Sequence, residues 1–174
     1  TQCEGLIKTI SKVRKIPETN IIVGGGSSDL MFAFFPHILK EDESVLILDP
    51  TYGEYAHIFE YVTKNKIFRH KLRKEDDFQI NYNDLFGQIE KENPTLVMLV
   101  NPNSPTGQYW QRQNILNLIK NFPNILFVID ETYIDYINKN LSLEKEAVKN
   151  ENLVIIKSMS KVYALSGARA GYIV

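Results

Sequence analysis

Short apolar runs rich in β-branched residues alternate along this chain with longer stretches whose apolar residues recur at helical spacing. The apolar runs predict six strands, at residues 21–23, 45–48, 67–72, 96–100, 125–129 and 153–156. The longer stretches predict five helices, at residues 4–15, 28–39, 52–64, 82–92 and 111–122. Because such apolar strands must be covered on both faces, the pattern predicts an α/β fold, a three-layer αβα sandwich with a mostly parallel sheet.

Composition limits the classes of partner. The 174 residues are 44% hydrophobic, which is enough for one buried core, and 20 basic against 21 acidic residues give a net charge of -1. A chain without a positive field is not expected to bind nucleic acid or an anionic membrane. No apolar run approaches the roughly 20 residues that span a bilayer. We therefore expect a cytoplasmic protein that acts on small molecules.

The cysteine content and the last residues bear on compartment and domain organisation. Cys3 is the only cysteine, so it cannot form an intrachain disulfide, and a structural thiol in a reducing compartment is expected. Residues 171–174 form an apolar, strand-like run with no turn or polar tail after it. We expect one domain, residues 1–174, that is a fragment of a longer chain.

Open α/β sheets bind ligands beyond the carboxyl ends of their strands, so the residues there are candidates for function. Residues 24–29, with the sequence GGGSSD, precede a predicted helix and could cradle a phosphate on its free N–H groups, or could form a capped turn with no ligand. Tyr52 could stack on a planar ring or fill a gap. Residues 101–107, NPNSPTG, predict a rigid polar turn. Its composition favours a functional role over a purely structural one.

The last two strands are followed by charged residues. Asp130 ends an apolar strand, where a carboxylate needs a partner such as a protonated pyridine nitrogen, a nearby Lys or Arg, or a helix cap. Glu131 is expected to be structural. Lys161 is flanked by small hydroxyl residues, and Arg169 follows eight positions later. These are the ingredients of a Schiff-base lysine beside a bound phosphate. No metal site is predicted.

In this order the segments resemble the fold-type-I pyridoxal-phosphate (PLP) enzymes of aminotransferase class I and II, most closely the histidinol-phosphate aminotransferase branch. The resemblance covers nearly the whole chain. It is carried by the 101–107 turn, by Asp130 and Tyr133, and by the run Ser158, Ser160, Lys161, Gly167, Arg169 and Gly171. It implies that the chain is the PLP-binding large domain, truncated at both ends, and that the longer protein is a homodimer whose small domain grips the substrate.

The resemblance also implies roles. Lys161 would form the Schiff base and move the proton between the substrate Cα and the cofactor. Asp130 would pair with the pyridinium nitrogen, Tyr133 would hydrogen-bond the phenolic oxygen, and Tyr52 would stack on the ring. The phosphate would lie on the loop of Gly26, Ser27 and Ser28, with Ser158, Ser160 or both donating hydroxyls and Arg169 neutralising its charge.

One position departs from the family pattern. Many relatives have an asparagine directly before Pro-Thr-Gly that bonds the phenolic oxygen, whereas this chain has the shorter Ser104. A water or the neighbouring Asn103 would have to help, and a weaker contact is expected there.

The resemblance implies an aminotransferase that moves an amino group between an amino acid, or an amine such as histidinol phosphate, and a 2-oxo acid. Three alternatives stay open at this stage. One is a PLP-dependent decarboxylase of the threonine-phosphate type, which shares these motifs, and another is a non-catalytic, aminotransferase-like regulatory module. A dinucleotide-binding fold ranks last, because the acidic residue after the second predicted strand, Asp49, is tied to the Pro-Thr-Tyr turn and does not stand in the ribose-binding manner.

Overall fold

The computed structural model describes residues 3–174, in which seven strands form one sheet. The strands are β1 (Ile22–Gly24), β2 (Ser44–Asp49), β3 (Lys66–Lys71), β4 (Leu96–Val100), β5 (Leu126–Asp130), β6 (Leu153–Ser158) and β7 (Gly171–Ile173). The α-helices are α1 (Glu4–Arg14), α2 (Ser27–Ile38), α3 (Gly53–His57), α4 (Tyr82–Glu92), α5 (Arg112–Asn121), α6 (Ile134–Ile137) and α7 (Glu144–Ala147). Short 3-10 turns occupy Glu18–Asn20, Lys74–Asp76 and Lys139–Leu141.

The sheet has the order β1-β7-β6-β5-β4-β2-β3. Its five strands from β6 to β3 are parallel, whereas β7 is antiparallel to both β6 and β1. The prediction of a mostly parallel sheet is therefore confirmed. The carboxyl ends of β2, β4, β5 and β6 meet at one edge, which is where polar segments were predicted to converge.

Successive residues of the buried strands point to opposite faces of the sheet. On one face, Leu46, Val97 and Ile129 pack with buried side chains of α4 and α5. On the other face, Val45 and Met98 belong to a second cluster with buried side chains of α2 and α3. Helices thus cover both faces, as the αβα prediction requires.

Two regions differ from the predicted elements. The helix predicted at 52–64 is α3 followed by a π-helical turn at Ile58–Val62, so the segment is helical but not one regular α-helix. The segment between β5 and β6 contains α6 and α7, which were not predicted because each is only four residues long and shows no full apolar period. No helix of the described part of the chain is both long and apolar enough to cross a membrane.

A buried network of charges ties α1 to the sheet. The Arg14 guanidinium lies 2.7 Å from an oxygen of Asp135 and 3.0 Å from one of Glu144, and each of these side chains is at most 8% exposed. Lys157 on β6 lies 3.3 Å from Glu131 and 3.5 Å from Asp135. Since charges out of water are costly unless each has a partner, the network is stable only while all its members are present.

We expect Asp135→Asn to lower the free energy of unfolding by roughly 3 kcal/mol, because the substitution leaves Arg14 and Lys157 buried with fewer acidic partners. Glu60→Gln is the control, since Glu60 pairs with Arg69 at the surface, where ion pairs contribute about 1 kcal/mol or less. Urea denaturation of both variants gives the comparison. Equal losses of unfolding free energy in the two variants would mean that the buried network contributes no more to stability than a surface ion pair does.

Candidate active site

A cavity of about 120 Å³ lies at the carboxyl ends of the central strands. Its lining residues are Ser27, Tyr52, Val100, Ser104, Asp130, Thr132, Tyr133, Ser158 and Lys161. Seven of these nine are candidate site residues from the sequence, drawn from segments as far apart as the α2 N-terminus and the loop after β6. Two larger hollows, of about 410 and 360 Å³, lie elsewhere and contain neither Lys161 nor Asp130.

Asp130 stands at the end of β5 and is only 5% exposed. Its Oδ2 accepts a hydrogen bond of 2.6 Å from the Tyr55 hydroxyl, and its Oδ1 accepts one of 2.8 Å from the Thr132 backbone N–H. Burial raises the pKa of Asp130, while these two donors and the charge of Lys157 act in the opposite direction. The salt bridges among residues 3–174 do not include Asp130, so its negative charge still has room for a positive partner at the cavity.

Two tyrosines follow β2. Tyr52 lines the cavity and is 43% exposed. Tyr55, one helical turn later, is fully buried, and its ring meets that of Tyr52 edge to face with centroids 5.9 Å apart. Burial and the adjacent Glu54 carboxylate raise the pKa of Tyr52, so its hydroxyl is held in the neutral form.

The glycine-rich loop meets Arg169. Gly26 has a φ of 112°, which favours glycine, and a Cβ there would lie 3.0 Å from Nη2 of Arg169. The guanidinium therefore lies against the turn that begins α2, a helix of 12 residues whose first N–H groups are available to an anion. Ser27 faces the cavity, whereas the Ser28 hydroxyl donates a 2.7 Å hydrogen bond to Glu54 and lies outside the lining.

In the turn after β4, one polar side chain is buried in hydrogen bonds and the next one lines the cavity. Asn103 is 1% exposed; its amide nitrogen donates to the Pro50 carbonyl and to Thr106, and its oxygen accepts from Thr51. The hydrogen-bonding groups of Asn103 are thus engaged within the turn and with Pro50 and Thr51, which follow β2. Ser104 lines the cavity, so the shorter residue, and not Asn103, faces a ligand there.

The loop after β6 carries Lys161 into the cavity. It closes on itself through the Met159 N–H to the Ala170 carbonyl and the Ser166 hydroxyl to the Ser160 carbonyl. Ser158 lines the cavity with Lys161, and its Oγ accepts a hydrogen bond from the Ser160 N–H. Ser160 is not among the lining residues. Its role toward a phosphate stays a prediction, as do the phosphate roles of Gly26, Ser28 and Arg169 and the help of Asn103 at the phenolic oxygen.

Sequence reasoning missed Tyr55 and Thr132, which hold Asp130. Tyr55 occupies an apolar position of a helix, so the sequence indicates a core residue and gives no sign that its hydroxyl meets an acid 75 positions later. Thr132 contributes a backbone N–H, for which side-chain chemistry offers no signal. Within residues 3–174, no cluster of three or more His, Cys, Asp or Glu residues could hold a metal ion.

The family model for aminotransferase class I and II matches residues 4–174. The chain belongs to this family. Histidinol-phosphate aminotransferase of Methanocaldococcus jannaschii is 32% identical over 168 residues, which are 96% of this chain and 44% of that protein. The enzyme of the same name from Flavobacterium psychrophilum is 35% identical over 163 residues, 93% of this chain and 45% of that protein. The chain thus spans less than half the length of these relatives.

Solved structures of the family share the fold. Histidinol-phosphate aminotransferase from Sinorhizobium meliloti, in complex with pyridoxal-5'-phosphate, superposes with a TM-score of 0.88 at 21% identity, covering 99% of this chain and 47% of that one. A decarboxylase from Sulfurospirillum multivorans gives a TM-score of 0.85 at 25% identity, covering 98% of this chain and 49% of that one. The aminotransferase class I and II resemblance found in the sequence is confirmed.

We expect Asp130→Asn to become more stable relative to wild type as the pH rises. A carboxyl whose pKa is raised by folding contributes stability below its unfolded pKa of about 3.9, and this is lost as the pH rises through the folded pKa. Urea unfolding of the cofactor-free protein, at a series of pH values from about 3.9 upward, measures the difference in unfolding free energy between the variant and wild type. Asp135→Asn is the opposite control: although burial raises the Asp135 pKa, Lys157, Tyr163 and Arg14 lower it overall, so its contribution is lost toward low pH. Parallel pH profiles for the two variants would contradict this assignment.

Proposed function

We propose that the protein is a PLP-dependent aminotransferase that moves an amino group between an amino acid, or an amine such as histidinol phosphate, and a 2-oxo acid. The observation that carries the proposal is one cavity lined by Lys161, Asp130 and Tyr133. The names of the relatives support the reaction class. A cytoplasmic location and a homodimer belong to the same proposal.

The groups at and beside the cavity support PLP as the cofactor. The phosphate would lie at the N-terminus of α2, near Ser27 and Ser158, with the Arg169 guanidinium beside Gly26 to neutralise its charge. The ring of the cofactor would stack on the ring of Tyr52, which lines the cavity. The buried Asp130 carboxylate, which has two neutral donors but no salt-bridge partner among residues 3–174, would suit a protonated ring nitrogen.

When bound, PLP supplies a ring that accepts the electrons left after a bond at the substrate Cα is broken. Lys161 would have two tasks: its Nζ would hold the cofactor through the aldehyde carbon, and its amine, once released, would take the Cα proton and return it. Asp130 would keep the ring nitrogen protonated, which favours electron withdrawal. Tyr133 and Ser104, which line the cavity, would hydrogen-bond the phenolic oxygen through their hydroxyls.

A decarboxylase is the second candidate, because solved decarboxylases have the same fold. The L-threonine-O-3-phosphate decarboxylase of Porphyromonas gingivalis superposes with a TM-score of 0.82, covering 99% of this chain. The two reactions use the same large-domain groups and differ in which Cα bond breaks. An assay of the whole protein for an oxo acid against carbon dioxide distinguishes them. Absence of turnover in a protein that still binds PLP would favour the regulatory module.

We expect PLP, followed by borohydride reduction, to mark Lys161 in the whole protein, because this lysine lines the cavity. Peptide mapping by mass spectrometry locates the label. Lys161→Ala should lose it, whereas Lys149→Ala, which removes an exposed lysine outside the cavity, should keep it. Label spread equally over surface lysines, and unchanged in Lys161→Ala, would contradict the proposed cofactor site.

We expect Arg169→Gln to weaken PLP binding at least about tenfold, because it removes a charged donor from the phosphate end. Binding of pyridoxal, which has no phosphate, should change less than about twofold. Arg73→Gln makes the same change of charge at an exposed site and serves as the control. Equal weakening for PLP and pyridoxal would mean that Arg169 supports the fold of the loop and does not contact the phosphate.

A further inference from the structure

Tyr55 is a tyrosine in an apolar layer. It is fully buried within the cluster under α2, where its ring meets Phe35 edge to face with centroids 6.5 Å apart. A phenylalanine would fill this space equally well, so packing alone does not require the hydroxyl. That hydroxyl donates a hydrogen bond of 2.6 Å to Oδ2 of Asp130, the short distance typical of a charge-assisted bond.

The contact fixes how Asp130 is presented. With Thr132 N–H at Oδ1 and Tyr55 O–H at Oδ2, each carboxylate oxygen has one donor fixed by the protein. Rotation of the carboxylate would break both bonds. The two donors also favour the ionised form, although burial outweighs them and raises the pKa of Asp130 overall. Asp130 is therefore oriented by the protein before any ligand binds.

We propose that Tyr55 is a positioning residue for the cofactor's ring nitrogen, acting through the hydrogen bond by which it holds the Asp130 carboxylate in place. The inference rests on the proposed function, because it assumes that the positive partner of Asp130 is the ring nitrogen of PLP. It assigns Tyr55 no contact with substrate or cofactor. The effect of its hydroxyl must then depend on the ring nitrogen, which makes it separable from a general contribution to the fold.

Tyr55→Phe removes the hydroxyl and keeps the ring, so the contacts with Phe35 and Tyr52 are retained. We expect the variant of the whole protein to bind PLP about tenfold more weakly, as for the loss of a hydrogen bond to a charged group. Binding of 1-deaza-PLP, in which a CH group replaces the ring nitrogen, should change less than about twofold. This analogue also reports the folded fraction, since it needs the same cavity.

Two further variants complete the test. Tyr61→Phe removes the hydroxyl of a tyrosine that is 70% exposed on the same helical segment, and it should leave both affinities unchanged. In an Asp130→Asn background, Tyr55→Phe should have little additional effect on PLP binding, because the two residues then act as one unit.

The outcomes separate the inference from the function on which it rests. Equal weakening of PLP and 1-deaza-PLP by Tyr55→Phe, or no weakening of either, would overturn the role of Tyr55 while leaving the aminotransferase proposal in place. Wild-type protein that binds neither compound would overturn the proposed function itself, and the inference with it.

Discussion

Asp130 ends the middle strand of the sheet with a carboxylate that is only 5% exposed, and burying such a charge is costly unless donors and a positive charge face it. The protein supplies the donors through Tyr55 and Thr132. It supplies no salt bridge from the described residues. The proposed function would supply the positive partner through the ring nitrogen of the cofactor.

The direction of the strands brings the remaining groups to this charge. Parallel strands β2, β4, β5 and β6 end at one edge, so that Tyr52, Ser104 and Lys161, which come from well-separated parts of the sequence, meet in one cavity. The antiparallel β7 has a different effect. Because it lies between β6 and β1, the loop before it returns Arg169 to Gly26.

The strands, the αβα layers and most cavity-lining residues could be predicted, because apolar period and strand-end chemistry are local properties of the sequence. What could not be predicted depends on contacts between distant residues. Three apolar residues do not encode whether β7 runs parallel or antiparallel. The hydroxyl of Tyr55 has no local partner, and the inward turn of Asn103 depends on Pro50 and Thr51 from another strand end.

The twofold period of the strands also separates functional charges from structural ones. Asp130 lies on the face of β5 toward α2 and α3, where Tyr55 meets it, whereas Glu131 turns the other way and binds Ser142 and Lys157. Lys157 on β6 is paired with Glu131 and Asp135 in that ion network, so its amine is not available to the cavity. Lys161 lies beyond the strand, in a loop free of this constraint, and reaches the side of the sheet where Asp130 stands. Neighbouring acids and nearby lysines of the same sequence therefore acquire different surroundings, because successive residues are directed to opposite faces of the sheet.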